Sequence, residues 1–156
     1  MIREQHQPTL LVIEDSDEDF EALCRIINQV SIVSLSVQRC IDGDDALDFL
    51  YRQGEYHNGG NISYPELILL DLNLPGTDGR EVLATIKQNE ALKTIPVVVL
   101  STSSNPKDIA VCYQSGCNSY MLKPLNNNEL RDSVRMMLYY WFKATVLPAS
   151  VMSILS

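Results

Sequence analysis

Four short apolar runs in this chain each end in a polar residue of a particular kind. Thr9-Leu10-Leu11-Val12-Ile13 is followed by Glu14-Asp15, Glu66-Leu67-Ile68-Leu69-Leu70 by Asp71, Pro96-Val97-Val98-Val99-Leu100 by Ser101, and Ser119-Tyr120-Met121-Leu122 by Lys123. Singly, each has an ordinary explanation. An acidic pair favours the start of a helix, a serine caps a strand end, a lysine is solvated, and Asp71-Leu72-Asn73 makes a turn. Together they are three carboxylates, a hydroxyl and an ammonium. Carboxylates in contact repel by roughly 4 kcal/mol per pair at ~4 Å and an effective dielectric of ~20, so such a cluster requires protons or a cation. Oxygen ligands select a hard ion, and Mg2+ suits a few carboxylates with water and phosphate. With the ion bound, one carboxylate can attack a phosphoryl donor. Asp71 is the best nucleophile, because the central run delivers it to a loop softened by Pro75, Gly76 and Gly79. The Asn73 carbonyl can complete the metal shell beside Glu14, Asp15 and Asp71. Ser101 can hydrogen-bond a phosphoryl oxygen, and Lys123 can neutralise its charge.

These residues converge only if the runs are neighbouring strands. The runs are almost wholly apolar, as strands buried on both faces are, and helical spacings separate them. Phe20, Leu23, Ile27 and Val30 recur at helical intervals after Ser16-Asp17. Leu35 and Val37 mark a second strand, and Asp42-Gly43 reads as a turn before a helix carrying Ala46, Leu47, Phe49 and Leu50. Val82, Leu83 and Ile86 mark a third helix. Asn105-Pro106 opens a fourth with Ile109, Cys112 and Tyr113, closed by Gly116. Leu130, Val134 and Trp141 mark the last. Residues 52–65 read as a long surface loop. Alternating strands and helices predict an α/β fold: a doubly wound, five-stranded parallel sheet with right-handed crossovers and helices on both faces. Ligand sites in such sheets lie beyond the carboxyl ends of the strands, where these residues sit.

Composition narrows the function. The 156 residues predict one domain, and the seven after Ala149 are too few for another, so a single domain over 1–149 with a tail at 150–156 is expected. The net charge of −8 argues against nucleic acid and against an anionic membrane surface. No apolar run is long enough for a membrane span, and Met1 to His6 is not a secretory signal, which predicts a cytoplasmic protein. Cys24, Cys40, Cys112 and Cys117 lack metal-site spacing and read as reduced core thiols. His6 and His57 are the only histidines, which nearly excludes serine-hydrolase triads and His-rich metal sites.

On these residues the chain resembles the receiver domain of two-component response regulators, from about Leu10 to Trp141. The resemblance implies a flavodoxin-like (CheY-like) strand order of 2-1-3-4-5. It implies that Asp71 accepts a phosphoryl group from a phosphohistidine, that Asp15 binds Mg2+ directly and that Glu14 does so through water. Lys123 pairs with the phosphoryl group, across a cis bond to Pro124. Ser101 and Tyr120 match a coupled switch pair, in which Ser101 moves to the phosphoryl oxygen and Tyr120 turns inward. Two features depart from the common pattern: Glu14 where Asp is usual, and the long loop 52–65. That loop, the Asp71 to Gly79 stretch, Ser103 to Asp108 and the Tyr140-Trp141 tail resemble the single-domain regulators paired with cyanobacterial phytochromes, red-light-sensing histidine kinases.

The partner this implies is such a kinase, in light signal transduction. The chain would promote its own phosphorylation and dephosphorylation without being an enzyme. Tyr139-Tyr140-Trp141-Phe142 cannot all be buried by one helix, since consecutive residues point ~100° apart. With Tyr113 and Cys117 they are expected to form a homodimer through the helix 4–strand 5–helix 5 face. Loop 52–65 is either a solvated insertion or part of the kinase-docking surface. One alternative function is a phosphorylation-independent scaffold. Another is an Asp-nucleophile phosphatase of the haloacid-dehalogenase type, which would need an acid where Asn73 stands.

Overall fold

All five residues of β1 (Thr9–Ile13) are buried, as are those of β3 (Leu67–Leu70) and β4 (Val97–Ser101). These three form the middle of a parallel sheet whose order is β2-β1-β3-β4-β5, with β2 (Ser36–Cys40) and β5 (Ser119–Leu122) at the edges. The computed structural model describes residues 7–54 and 64–149. His6, His57, most of the long loop and the tail 150–156 lie outside the described residues.

Alternate side chains of each strand feed two cores. Leu11, Ile13, Ile68, Leu70, Val97 and Val99 pack under α2 (Gly43–Tyr51), α3 (Gly79–Gln88) and α4 (Pro106–Gln114). Leu10, Val12, Leu67, Leu69, Val98 and Leu100 pack under α1 (Asp17–Val30) and α5 (Asn127–Tyr139). The expected helices on both faces are therefore present.

Every helix starts at the carboxyl edge of the sheet with a capping side chain. Ser16, Asp42, Asp78, Asn105 and Asn126 each accept a backbone N–H from the first turn. Gly43 and Gly79, expected in turns, are the first residues of α2 and α3, because the aspartate before each has taken the cap. Gly79 is required there: a Cβ would lie 2.5 Å from the Asp71 carbonyl oxygen. Gly116 closes α4 at φ +100°, as the sequence suggested.

The largest departure follows α5. Tyr140–Ala144 form a π turn closed by a 2.9 Å bond from the Thr145 N–H to the Tyr140 carbonyl. Widening the helix there resolves the crowding of four aromatics. Trp141 and Phe142 pack on the second core, while Tyr139 and Tyr140 are 55% and 54% exposed. Cys117 is buried against the first core, as a core thiol should be, and so does not contribute to the dimer face expected to include it. All four cysteines are free; burial pushes the Cys117 thiol up to about 11 and raises those of Cys24 and Cys112. Among the described residues no helix is long and apolar enough to cross a membrane.

Candidate functional site

The carboxyl edge of the sheet brings the sequence-predicted residues together. Glu14, Asp15 and Asp71 each offer an oxygen within 4.8 Å of the others. The register sets this up: β1 pairs Ile13 with Leu70, so the residues that follow them emerge side by side. The Asp71 N–H donates to the Ile13 carbonyl at 3.0 Å. Glu14 is buried, Asp71 half-buried and Asp15 exposed. Asp71 Oδ1 accepts the Asn73 N–H at 3.2 Å, which fixes the carboxylate's rotation.

Lys123 enters from β5. Its Nζ lies 3.3 Å from Glu14 Oε2, 3.8 Å from Asp71 Oδ2 and 3.4 Å from Asp19 Oδ2. Asp19, in the first turn of α1, was not singled out in the sequence. Its neighbours Asp17 and Glu18 make it look like one of several acids at a helix N-terminus, and nothing local marks which of them faces the pocket. The expected cis bond between Lys123 and Pro124 is corrected, because the structure has it trans. The isomers of such a bond differ by only ~0.5–1 kcal/mol. The Lys123 N–H donates to the Ser101 carbonyl at 2.7 Å, which continues the β4–β5 pairing up to the pocket.

The electrostatics are those of an anionic pocket short of positive charge. Burial first, then the charge of Asp71, push the Glu14 carboxyl up to about 7, against the pull of Lys123. Burial pulls the Lys123 ammonium down, but Glu14, Asp71 and Asp19 outweigh it, so it sits above its ordinary value. One ammonium thus neutralises only part of the cluster. Three converging carboxylates, facing a single ammonium, suit a hard divalent cation.

Ser101 is fully buried, one strand away from Asp71, and its Oγ accepts the Ser103 N–H at 3.1 Å. Tyr120 is half-buried against the first core, and its hydroxyl donates to the Ser103 carbonyl at 2.7 Å. Both members of the expected switch pair are thus bonded to Ser103, a residue the sequence reading had not picked out for chemistry. Ser103 Oγ also donates to Asp108 Oδ2 at 2.6 Å, and Asp108 Oδ1 is held by Arg80 at 2.9 Å. Arg80 in turn pairs with Asp78, the cap of α3, at 3.1 Å. A continuous chain of bonds thus runs from the loop after Asp71, across the start of α4, to Ser101 and Tyr120.

A parallel sheet that gathers acids, a hydroxyl and a lysine at one edge defines a phosphoacceptor class, and comparison with known families agrees. The chain belongs to the response regulator receiver domains, whose family pattern matches residues 10–135. It is 43% identical over 141 residues to response regulator Rcp1 of Synechocystis sp., covering 90% of this chain and 93% of that protein. The probable methanogenesis regulatory protein FilR2 of Methanothrix harundinacea is 38% identical over 132 residues, covering 85% of this chain and 82% of that one. Among solved structures, the phosphorylated cyanobacterial phytochrome response regulator RcpA superposes with a TM-score of 0.85 at 40% identity, over 92% of this chain and 99% of that one. The Mn2+-bound form of Rcp1 gives 0.83 at 42% identity, over 90% and 99%. Receiver domains bind a divalent metal at this acidic pocket.

Proposed function

We propose that the protein is a single-domain response regulator, spanning residues 1–149, which accepts a phosphoryl group on Asp71 from a histidine kinase of the phytochrome type. The observation that carries this is the convergence of Glu14, Asp15 and Asp71 within 4.8 Å, with Lys123 at 3.3 Å from one and 3.8 Å from another. The phytochrome partnership draws on the likeness to RcpA and Rcp1.

An Asp71 oxygen attacks the phosphorus of a phosphohistidine. The P–O bond of an acyl phosphate forms as the P–N bond breaks, and its electron pair returns to the imidazole. Glu14, Asp15, Asp71 and the Asn73 carbonyl would hold Mg2+, with Glu14 acting through water. When bound, the ion supplies positive charge that offsets the anionic phosphoryl oxygens. Lys123 pairs with the same oxygens from the other side. Ser101 donates to the phosphoryl group once its hydroxyl leaves the Ser103 N–H, and Tyr120 reports that change to the surface. The position two residues after the nucleophile, where an Asp-nucleophile phosphatase of the haloacid-dehalogenase type carries its second acid, is Asn73, which transfers no proton, so the protein acts as an acceptor and not as such a phosphatase. It does so in the cytoplasm.

The output surface in this reading is the α4–β5–α5 face, where Val111, Tyr113, Leu122, Met136, Tyr139 and Tyr140 are exposed. A second copy docks there. Neither nucleic acid nor membrane is a partner, consistent with the net charge of −8.

The test is transfer of labelled phosphate from an autophosphorylated phytochrome kinase. The wild-type chain should take up an alkali-labile label in the presence of Mg2+, and Asp71→Asn should take up none. Equal labelling of the two would sink the assignment. A signalling output that survives Asp71→Asn would favour the scaffold reading instead.

A further inference from the structure

Glu14 is held by its neighbouring strand at both ends of its backbone. Its N–H donates to the Cys40 carbonyl at 3.1 Å, and its carbonyl accepts from Nε of Arg39 at 3.1 Å. The last two residues of β2 thus grip the residue that begins the acidic turn. The same guanidinium reaches forward to Asp17 in the first turn of α1, with a 2.7 Å bond from Nη1 to Oδ1. It lies over the Phe20 ring at 4.7 Å, and only 20% of the side chain is exposed. Arg39 therefore spans the Glu14-Asp15-Ser16 turn from the strand before it to the helix after it.

We propose that Arg39 is a positioning residue for the divalent-cation site, setting the turn that aims Glu14 and Asp15 without touching the ion or the phosphoryl group. The proposal rests on the reading of this pocket as a metal-binding phosphoacceptor site. Three features carry it. Arg39 bonds to the backbone of Glu14 and not to its carboxylate, so its influence is geometric. Its fork is used on two partners that flank Asp15, which a lysine cannot copy with one nitrogen. Its remaining nitrogen, Nη2, is buried and finds no partner among the described residues. Covering Phe20 alone would not call for a side chain that leaves a polar atom unsatisfied there.

Charge and geometry predict opposite signs. A cation next to an acidic site competes with a bound dication, so if Arg39 mattered only through its charge, neutralising it would tighten metal binding. If it sets the turn, losing it weakens binding, as loss of a group behind a ligand does by about 10-fold or more. The experiment is calorimetric titration of Mg2+ into the unphosphorylated full-length protein, with thermal unfolding followed in parallel. Arg39→Lys keeps the charge and breaks the fork; it should bind Mg2+ several-fold more weakly. Arg39→Met should lose about 10-fold. Arg52→Met, which disrupts a comparable arginine stacked at 5.5 Å over Phe49 and away from the pocket, should bind like wild type at a similar loss of stability. Wild-type affinity in Arg39→Lys, or tighter binding in Arg39→Met, would overturn the proposal. A wild-type protein that binds no Mg2+ would instead overturn the reading of the pocket.

Discussion

At the scale of single residues, the Glu14 carboxyl is the most sensitive reporter of the pocket. Burial and Asp71 hold it at about 7 against an ordinary 4.5. An acid whose folded value is raised binds its proton more tightly in the native state. Its contribution to stability is therefore full below 4.5 and is lost as pH rises through about 7. Without a divalent ion, the melting temperature should fall between pH 5 and pH 8, and Mg2+ should reverse most of that fall at pH 8. Scanning calorimetry with and without chelator checks this; a chelated protein equally stable at both values would contradict it. Asp71→Asn removes the second cause of the shift. At pH 8 without metal it should raise the melting temperature by about 2–4 °C, the effect of ~1 kcal/mol in a chain of this size. The five chemical positions behind these predictions were legible in the sequence because each interrupts an apolar run. Asp19 was not, since Lys123 selects it from an acidic turn by distance alone, and neither was Arg39, whose role lies in a backbone bond across 25 residues.

At the scale of elements, strands and helices were readable from their periodicity, while the connections between them were not. Nothing in Ser103 or Asp108 announces that the β4–α4 loop is tied to the start of α3 through Arg80. The tie is made by bonds across 5 and 28 residues. The Ser103 hydroxyl first, then Arg80, hold the Asp108 carboxyl below its ordinary value, so the tie is intact at neutral pH and loosens only in acid. Asp108→Asn weakens both bonds at once. Amides from Thr102 to Asp108 should then exchange several-fold faster, while amides of β1 and β3 stay unchanged. Hydrogen exchange read by mass spectrometry separates this from global destabilisation, which would speed both sets alike. If the loop is what carries Ser101 to the phosphoryl group, the same variant should also shift the labelling rate in the transfer experiment.

At the scale of the whole molecule, two properties pull against each other. A net charge of −8 makes copies repel. Tyr113, Leu122, Met136, Tyr139 and Tyr140 leave apolar area exposed on α4, β5, α5 and the π turn, the side proposed as the output surface. The sequence made the aromatic run visible but not which rings would remain outside, because a π turn is set by packing on α1 and the sheet and has no local signature. Trp141 turns edge-on to Tyr140 at 5.1 Å, which holds the outward tyrosine in place. If this side joins two copies, the apolar contact is indifferent to salt and the repulsion is screened by it, since the Debye length shrinks from roughly 14 Å to about 4 Å between ~0.05 and ~0.5 M. Association should therefore strengthen as salt is added, the reverse of an interface built on ion pairs. Sedimentation velocity over that range should show the dimer fraction rising. Tyr140→Ser combined with Met136→Ser should leave a monomer whose phosphoryl transfer is intact. A monomer at every salt concentration, or a dimer that dissolves in salt, would mean that the signal leaves the molecule by another surface.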